Sequence, residues 1–394
     1  MTQAKSQENV TQDFGLDATD FRWDGGLYEK DDVAGLKKDV IRHIVSSLGS
    51  DYARHSPYNY YHGLALAMRD RMIDLWIKTQ RSYYVEKAKR VYYMSLEYLP
   101  GKSLLNTLHC LGLYETASLA ATDLGYTLEE LAEVEWDAGL GNGGLGRLAS
   151  CYLDSIASLD IPGYGYGILY DYGIFHQTIE NGAQVEKCDN WIRTGSPWMY
   201  QRGRFMTPVK FCGRVIEYTD EQGRMCHDWV DTEDVMAMAC DMLVPGYGNN
   251  RVINMRLWAA RSDMEFRLDF FNTGDYVGAV EEKVRDENIS KVLYPSEEAL
   301  VNRELRLKQQ YFFVAATLID IFRRYKKRND TIDAFPDRVA IQLNDTHPSI
   351  AVPELMRLLL DEEKIPWEKA WDIARAPSAT PTIPSCPRLW RPGR

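Results

Sequence analysis

The 394-residue chain has no run of about eighteen apolar residues, so nothing in it reads as a membrane-spanning helix. Its polar start, Met1-Thr-Gln-Ala-Lys-Ser-Gln-Glu8, has no apolar signal core. There is no C-x-x-C pair. The cysteines at 110, 151, 188, 212, 226, 240 and 386 are odd in number and widely spaced, which reads as reduced, packed thiols in a cytoplasmic protein. No H-x-x-x-H spacing and no Cys/His cluster is present, which argues against a zinc site or any other metal centre. Positive charge is in deficit: 46 Lys and Arg against 57 Asp and Glu give −11. Such a surface argues against broad binding of nucleic acid or an anionic membrane, while leaving room for a local basic pocket. No internal repeat is visible.

What remains is ordinary globular composition, 45% hydrophobic and 26% charged, with 24 Tyr and 10 Trp. At about 150 residues per domain the length suggests two to three domains, ample for a core without staples. Residues 1–30 read as a flexible arm. From 31 to 80 the pattern is helical, with Leu64, Ala67, Met68, Met72, Leu75 and Trp76 on one apolar face. Residues 91–96 read as a buried strand, and Thr127-Leu-Glu-Glu130 as a capping box. A helix is expected over 145–159, a β-rich stretch over 160–275, and a long helix over 303–328. Residues 339–343 form a strand, 344–348 a loop, and helix resumes near Glu354. The last 21 residues, 374–394, hold five of the 16 prolines and none of the acids. Proline at that density forbids helix and central strand. The segment reads either as a disordered tail or as an out-of-register end after Ile373.

The strongest local signal is Asp137-Ala-Gly139-Leu-Gly141-Asn142-Gly143-Gly144-Leu145-Gly146-Arg147, which contains G-x-G-x-x-G twice. Glycines leave main-chain N–H groups unshielded, and before a helix such a loop aims donors and a positive dipole end at an anion. The bland alternative is a tight turn where a helix packs closely. A dinucleotide site would need a hydrophobic strand just before the loop; residues 129–135 read as helical and acidic, so an oxidoreductase of that type is disfavoured. Gly101-Lys102-Ser103 imitates a Walker A end, but the glycine required five residues earlier is Leu96.

Asn344-Asp345-Thr346-His347 follows a strand, at the edge where open α/β sheets bind ligands. Asp345 and His347 are suited to hold sugar hydroxyls, or else make an Asx-turn before a helix. Glu97 ends another strand, facing a cleft or pairing with Arg147 or Arg306. Trp76, Gln80, Tyr83 and Tyr84, with Arg323 and Arg324, make either an aromatic and cationic pocket for a phosphorylated effector or a core stripe and a solvated helix end.

Residues 135–155 resemble the glycine-loop segment of the glycogen, starch and maltodextrin phosphorylases. So do Ser95-Leu-Glu97, Gly163-Tyr-Gly-Tyr-Gly-Ile168, Val244-Pro-Gly-Tyr247, Met255-Arg-Leu-Trp258, Glu304-Leu-Arg-Leu-Lys-Gln309 and Ala340-Ile-Gln-Leu-Asn-Asp-Thr-His-Pro348, collinearly from about residue 30 to Ile373. The resemblance implies an α/β fold, the N-terminal lobe of a GT-B glycosyltransferase with two Rossmann-like domains, incomplete here, with one domain over 31–373. It implies an enzyme that attacks α-1,4-glucan ends with inorganic phosphate and releases glucose 1-phosphate. Asn142, Gly143, Gly144 and Leu145 would cradle phosphate and glucosyl unit, with Glu298 at the sugar and Asp345 and His347 on the glucan side. Glu97 would act on the cofactor indirectly. That cofactor, pyridoxal 5'-phosphate, is anchored in the family by a lysine that this chain lacks, so the chain alone is not expected to bind it. Trp76, Gln80, Tyr84, Arg323 and Arg324 match positions that bind AMP in regulated members, and a homodimer is the family expectation.

Two departures stand out. After Leu293-Tyr-Pro295 the family often has Asn-Asp-Asn, whereas this chain has Ser296-Glu297-Glu298; a carboxylate at Glu298 near a phosphate weakens binding. The serine-bearing basic segment of phosphorylation-controlled members is missing. The chain is also shorter than the family, so it is expected to be inactive alone. A non-catalytic glucan-binding or regulatory module is the alternative function.

Overall fold

The computed structural model describes residues 28–52, 56–193, 195–262, 268–278, 280–295 and 299–377. The arm, apart from 28–30, and the tail beyond Pro377 lie outside these residues.

The helical stretch read over 31–80 is two helices. Asp32 caps α1 (Val33–Ser46), its carboxylate accepting the Gly35 N–H at 2.7 Å. A break holding Gly49 at φ 60° follows. Ser56 then caps α2 (Pro57–Val85), with Pro57 in the first turn, where a missing N–H costs nothing. Next come β1 (Arg90–Met94), β2 (Tyr98–Gly101), α3 (Leu104–Leu111), α4 (Tyr114–Asp123) and α5 (Leu128–Glu133). The capping box forms at α5: Glu130 N–H reaches Thr127 Oγ1 at 3.2 Å and Thr127 N–H reaches the Glu130 carboxylate at 2.8 Å.

After β3 (Ala138–Leu140), α6 (Gly144–Ser158) and β4 (Gly163–Ile168), the β-rich stretch supplies β5 (Gly173–Glu180), β6 (Ala183–Asp189), β7 (Met199–Phe211), β8 (Arg214–Thr219), β9 (Met225–Val230), β10 (Glu233–Pro245) and β11 (Val252–Ser262). It ends sooner than the expected 275, because α7 (Leu268–Asn272) and α8 (Glu281–Glu287) follow. The long helix α9 (Leu300–Lys326) leads through α10 (Phe335–Arg338) to β12 (Val339–Leu343), α11 (Ala351–Arg357), a π-helical turn over Leu358–Glu362, and α12 (Trp367–Arg375).

Six strands form the main sheet in the order β12-β1-β4-β11-β10-β7. The first four are mutually parallel, and β10 and β7 are antiparallel to their neighbours. This is a mixed α/β architecture. Parallel strands are buried on both faces, and the sequence supplies that: Tyr164, Tyr166 and Trp258 of the sheet and Phe312 and Phe313 of α9 are fully buried. Their polar tips are satisfied. Tyr166 donates to Asp320 at 2.7 Å and Trp258 Nε1 to Thr317 at 3.0 Å. Because β1 and β12 are adjacent and parallel, with Met94 opposite Leu343, the loops that follow them emerge side by side.

Candidate active site

The two loops are fastened to each other. Asn344 N–H bonds Met94 O at 2.9 Å, and its side-chain amide donates to Ser95 Oγ at 2.9 Å. Ser95 Oγ in turn donates to Glu97 O at 2.6 Å. This fixes Glu97, which is buried. Neither arginine expected as its partner bonds it. Arg147 donates to Leu99 O and Pro100 O, and Arg306 to Leu293 O at 3.0 Å and the Gln309 side chain. Instead the Glu97 carboxylate accepts the Asn142 N–H at 2.9 Å and the Tyr294 hydroxyl. Burial pushes its pKa up, opposed by the Asn142 N–H and the charge of Arg306, and helped by Asp345. Tyr294 was missed from sequence; it lies in the Leu293-Tyr-Pro295 run, but nothing local in that run points to Glu97.

Glu97 thereby holds the start of the glycine loop. The helical reading of residues 129–135 holds as far as Glu133, where α5 ends, and the three-residue β3 lies inside the glycine motif. It pairs antiparallel with β2 in a two-stranded ribbon outside the main sheet, so the dinucleotide motif fails on topology as well. Gly141 and Gly146 press together, and a Cβ on either would lie 3.0–3.1 Å from the other's Cα. Gly143 and Gly144 face open space, with nothing within 4 Å of an added Cβ. The first i→i−4 bond here is Arg147 N–H to Gly143 O at 2.9 Å. Ahead of it, the N–H groups of Gly143, Gly144 and Leu145 meet no acceptor among the described residues. The Asn142 N–H is spent on Glu97, leaving only its exposed side chain for a ligand.

His347 is half-buried within reach of the Arg306 and Asp345 charges that also act on Glu97, and its Nδ1 is buried without a partner. Burial and the charge of Arg306 lower its pKa, against the pull of Asp345, so the imidazole is neutral at pH 7. Asp345 sits at φ 63° and its carboxylate accepts the N–H of the next residue, Thr346, at 2.6 Å, one residue short of the contact that defines an Asx-turn. Glu298 lies outside the described residues.

The effector candidates lie between α2 and α9. Tyr84 and Arg324 line a cavity of about 110 Å³ with Lys87, Arg90, Arg328 and Arg338, four cations that sequence reading missed. Tyr84 is sandwiched, with Arg90 at 4.2 Å and Arg328 at 4.7 Å from its ring centre. Trp76 and Gln80 lie outside that lining. Trp76 Nε1 and Gln80 Nε2 are buried and unpartnered, and Gln80 Oε1 accepts the Tyr164 hydroxyl. Arg323 turns away to Asp320, its Nε at 3.2 Å. Among the described residues no group of His, Cys, Asp or Glu could hold a metal ion, and no helix is long and apolar enough to cross a membrane.

The family model described as carbohydrate phosphorylase matches residues 121–380. Over 358 residues the chain is 51% identical to the liver-form glycogen phosphorylase of Bos taurus, 50% to that of Homo sapiens and 49% to the brain form of Homo sapiens. Each alignment covers 89% of this chain, which spans 42% of the length of those relatives. On the matched residues and these identities, the chain belongs to the carbohydrate phosphorylase family.

Proposed function

We propose that this chain supplies the anion-and-hexose cradle of an α-glucan phosphorylase, an enzyme that cleaves α-1,4-glucan ends with inorganic phosphate to give glucose 1-phosphate. The observation that carries it is the run of three unbonded N–H groups, Gly143 to Leu145, at the start of the 15-residue helix α6. Oriented amides and a helix dipole stabilise an oxyanion without reorganising as charge develops. Open space over Gly143 and Gly144 lets a phosphate or a hexose come within hydrogen-bond reach of those amides. Neutral His347 and Asp345 serve the sugar hydroxyls from the neighbouring loop. Glu97 acts as a positioning residue, since its carboxylate holds the Asn142 N–H and so sets the loop.

Family members use pyridoxal phosphate, whose phosphate group shuttles a proton to the substrate phosphate. Glu97, Tyr294, Arg306, Asp345 and His347 include no lysine amine to anchor it, so these residues by themselves do not form its site. We therefore read the described fold as one lobe of a GT-B pair, with the cofactor anchor and the remaining phosphate-binding cations on the other lobe. The cavity beside Tyr84, Arg90 and Arg324 fits a phosphorylated effector of the AMP kind, and a cytoplasmic homodimer is the matching context.

The test is phosphorolysis itself. Purified chain given maltoheptaose, orthophosphate and pyridoxal phosphate should release no glucose 1-phosphate. Sustained release would overturn the division of labour between lobes.

A further inference from the structure

A second cavity, of about 150 Å³, lies between the start of α2, the segment after α5 and the loop before β7. Aromatic rings dominate it: Tyr58, Tyr61, Trp136, Trp191 and Trp198. Its walls are braced by Glu135, which accepts the N–H groups of Ser103 at 2.7 Å and Leu104 at 2.9 Å and Trp198 Nε1 at 2.7 Å. Those three bonds occupy the carboxylate and fix the Trp198 ring.

One side chain of the lining, His62, carries a buried polar atom that is unspent. His62 is more than nine-tenths buried, and its Nε2 has no hydrogen-bond partner. Its Nδ1 lies 3.2 Å from Tyr58 O. A carbonyl can only accept, so Nδ1 carries the proton and Nε2 presents a bare lone pair. Two rings hold the imidazole in place, Tyr58 at 4.1 Å and Tyr61 edge-on at 4.9 Å. A buried acceptor left unpaired is costly, and it asks for a donor. Burial lowers the pKa of the imidazole and favours its neutral form, so Nε2 calls for a neutral donor and gives an anion no positive charge to bind. The Glu135 carboxylate in the wall disfavours anions as well. An apolar cavity of roughly this volume accepts a single benzene-sized ring.

From this we infer a binding site for a small neutral six-membered ring bearing a hydroxyl, stacked among the tryptophans and donating its hydroxyl proton to His62 Nε2. A phenolic ring and a pyranose both have that chemistry. The site does not depend on the phosphorolysis reading: it meets the glycine motif only at its start, Ala138, and takes in none of Gly143, Gly144, Leu145, Asp345 or His347.

The experiment is an NMR titration of the full chain, with the His62 ring nitrogens observed, using phenol, D-glucose and, as a ring without a donor, anisole. Saturable binding of phenol or glucose with a shift at His62 Nε2 supports the site and says which source it prefers; anisole should bind more weakly. His62→Phe, which keeps the ring and removes the acceptor, should weaken binding roughly tenfold, the worth of one hydrogen bond. Trp136→Ala, at the exposed rim where folding is not at risk, should weaken it several-fold while leaving the His62 signal of the free protein in place. Absence of saturable binding by both hydroxylated probes, or equal affinity in His62→Phe, would overturn the proposal and leave a cavity whose acceptor is met by water.

Discussion

Gly141 and Gly146 are glycine for a reason that does not apply to Gly143 and Gly144. A Cβ on Gly146 would lie 3.0 Å from Gly141 Cα and 3.3 Å from Glu97 Cβ, so the loop, the helix and the strand end could not close up. Gly146→Ala should lower stability by about 1–3 kcal/mol in urea unfolding, the usual cost of overpacking. Gly144→Ala meets nothing and opens a helix, so stability should stay within about 1 kcal/mol of the parent while affinity for phosphate falls. If both variants lose stability alike, the open pair is structural too. His347 gives a second residue-scale prediction. Its folded pKa lies below 6.5, so the unfolded chain takes up the proton first and stability falls as pH drops through that value. The imidazole resonances should titrate below 6.5, and His347→Asn should flatten this part of the stability curve; an ordinary midpoint would contradict the buried placement.

At the scale of elements, what the sequence made legible was local. The strand at 339–343 has the expected bounds, α6 is shifted by one residue from 145–159, and the capping box at Thr127 forms as its spacing implies. Thr127→Ala should cost about 1 kcal/mol, read as a lower urea midpoint with unchanged slope. No change would mean the exposed cap is redundant. What could not be read was non-local. Glu97 finds Asn142 across 45 positions and Tyr294 across 197, and Asn344 finds Ser95 across 249. Single-chain periodicity contains no term for such pairs, so of the two readings open for Glu97 the pairing with Arg147 or Arg306 is not made. The three-residue β3 escaped for a different reason: it is shorter than any period-two pattern can register. The break between α1 and α2 carries local signals, Gly49 and the Ser56-Pro57 helix start, that a continuous helical reading passes over.

For the whole molecule, the sheet and α9 are joined by buried charge. Asp320 accepts from Arg256 Nη1 at 2.9 Å and Arg324 Nε at 2.9 Å, and Asp241 binds Arg256 in turn at 2.8 Å. Opposing burial, Arg324, Arg256 and Arg323 hold the Asp320 carboxyl well below the usual carboxylate range. A depressed folded pKa adds stability above the ordinary value, and that stability is lost as pH falls below it. Asp320→Asn leaves those guanidinium groups short of a charge and should cost about 3–5 kcal/mol near neutrality, with a smaller loss on acidification than in the parent. Equal acid sensitivity in both proteins would place the acid-labile groups elsewhere. The chain also bares apolar surface at the start of α9: Leu300 is 81% exposed and Val301 68%. The account's central claim is that the N–H groups of Gly143, Gly144 and Leu145 are free to hold an oxyanion beside a hexose. The most direct measurement is amide NMR of the chain titrated with orthophosphate in the presence of maltose. These three resonances should shift together and saturably, with the Asn142 amide, already bonded to Glu97, moving least. Stationary signals at all three, or fast-exchange shifts spread evenly over the surface, would contradict the claim.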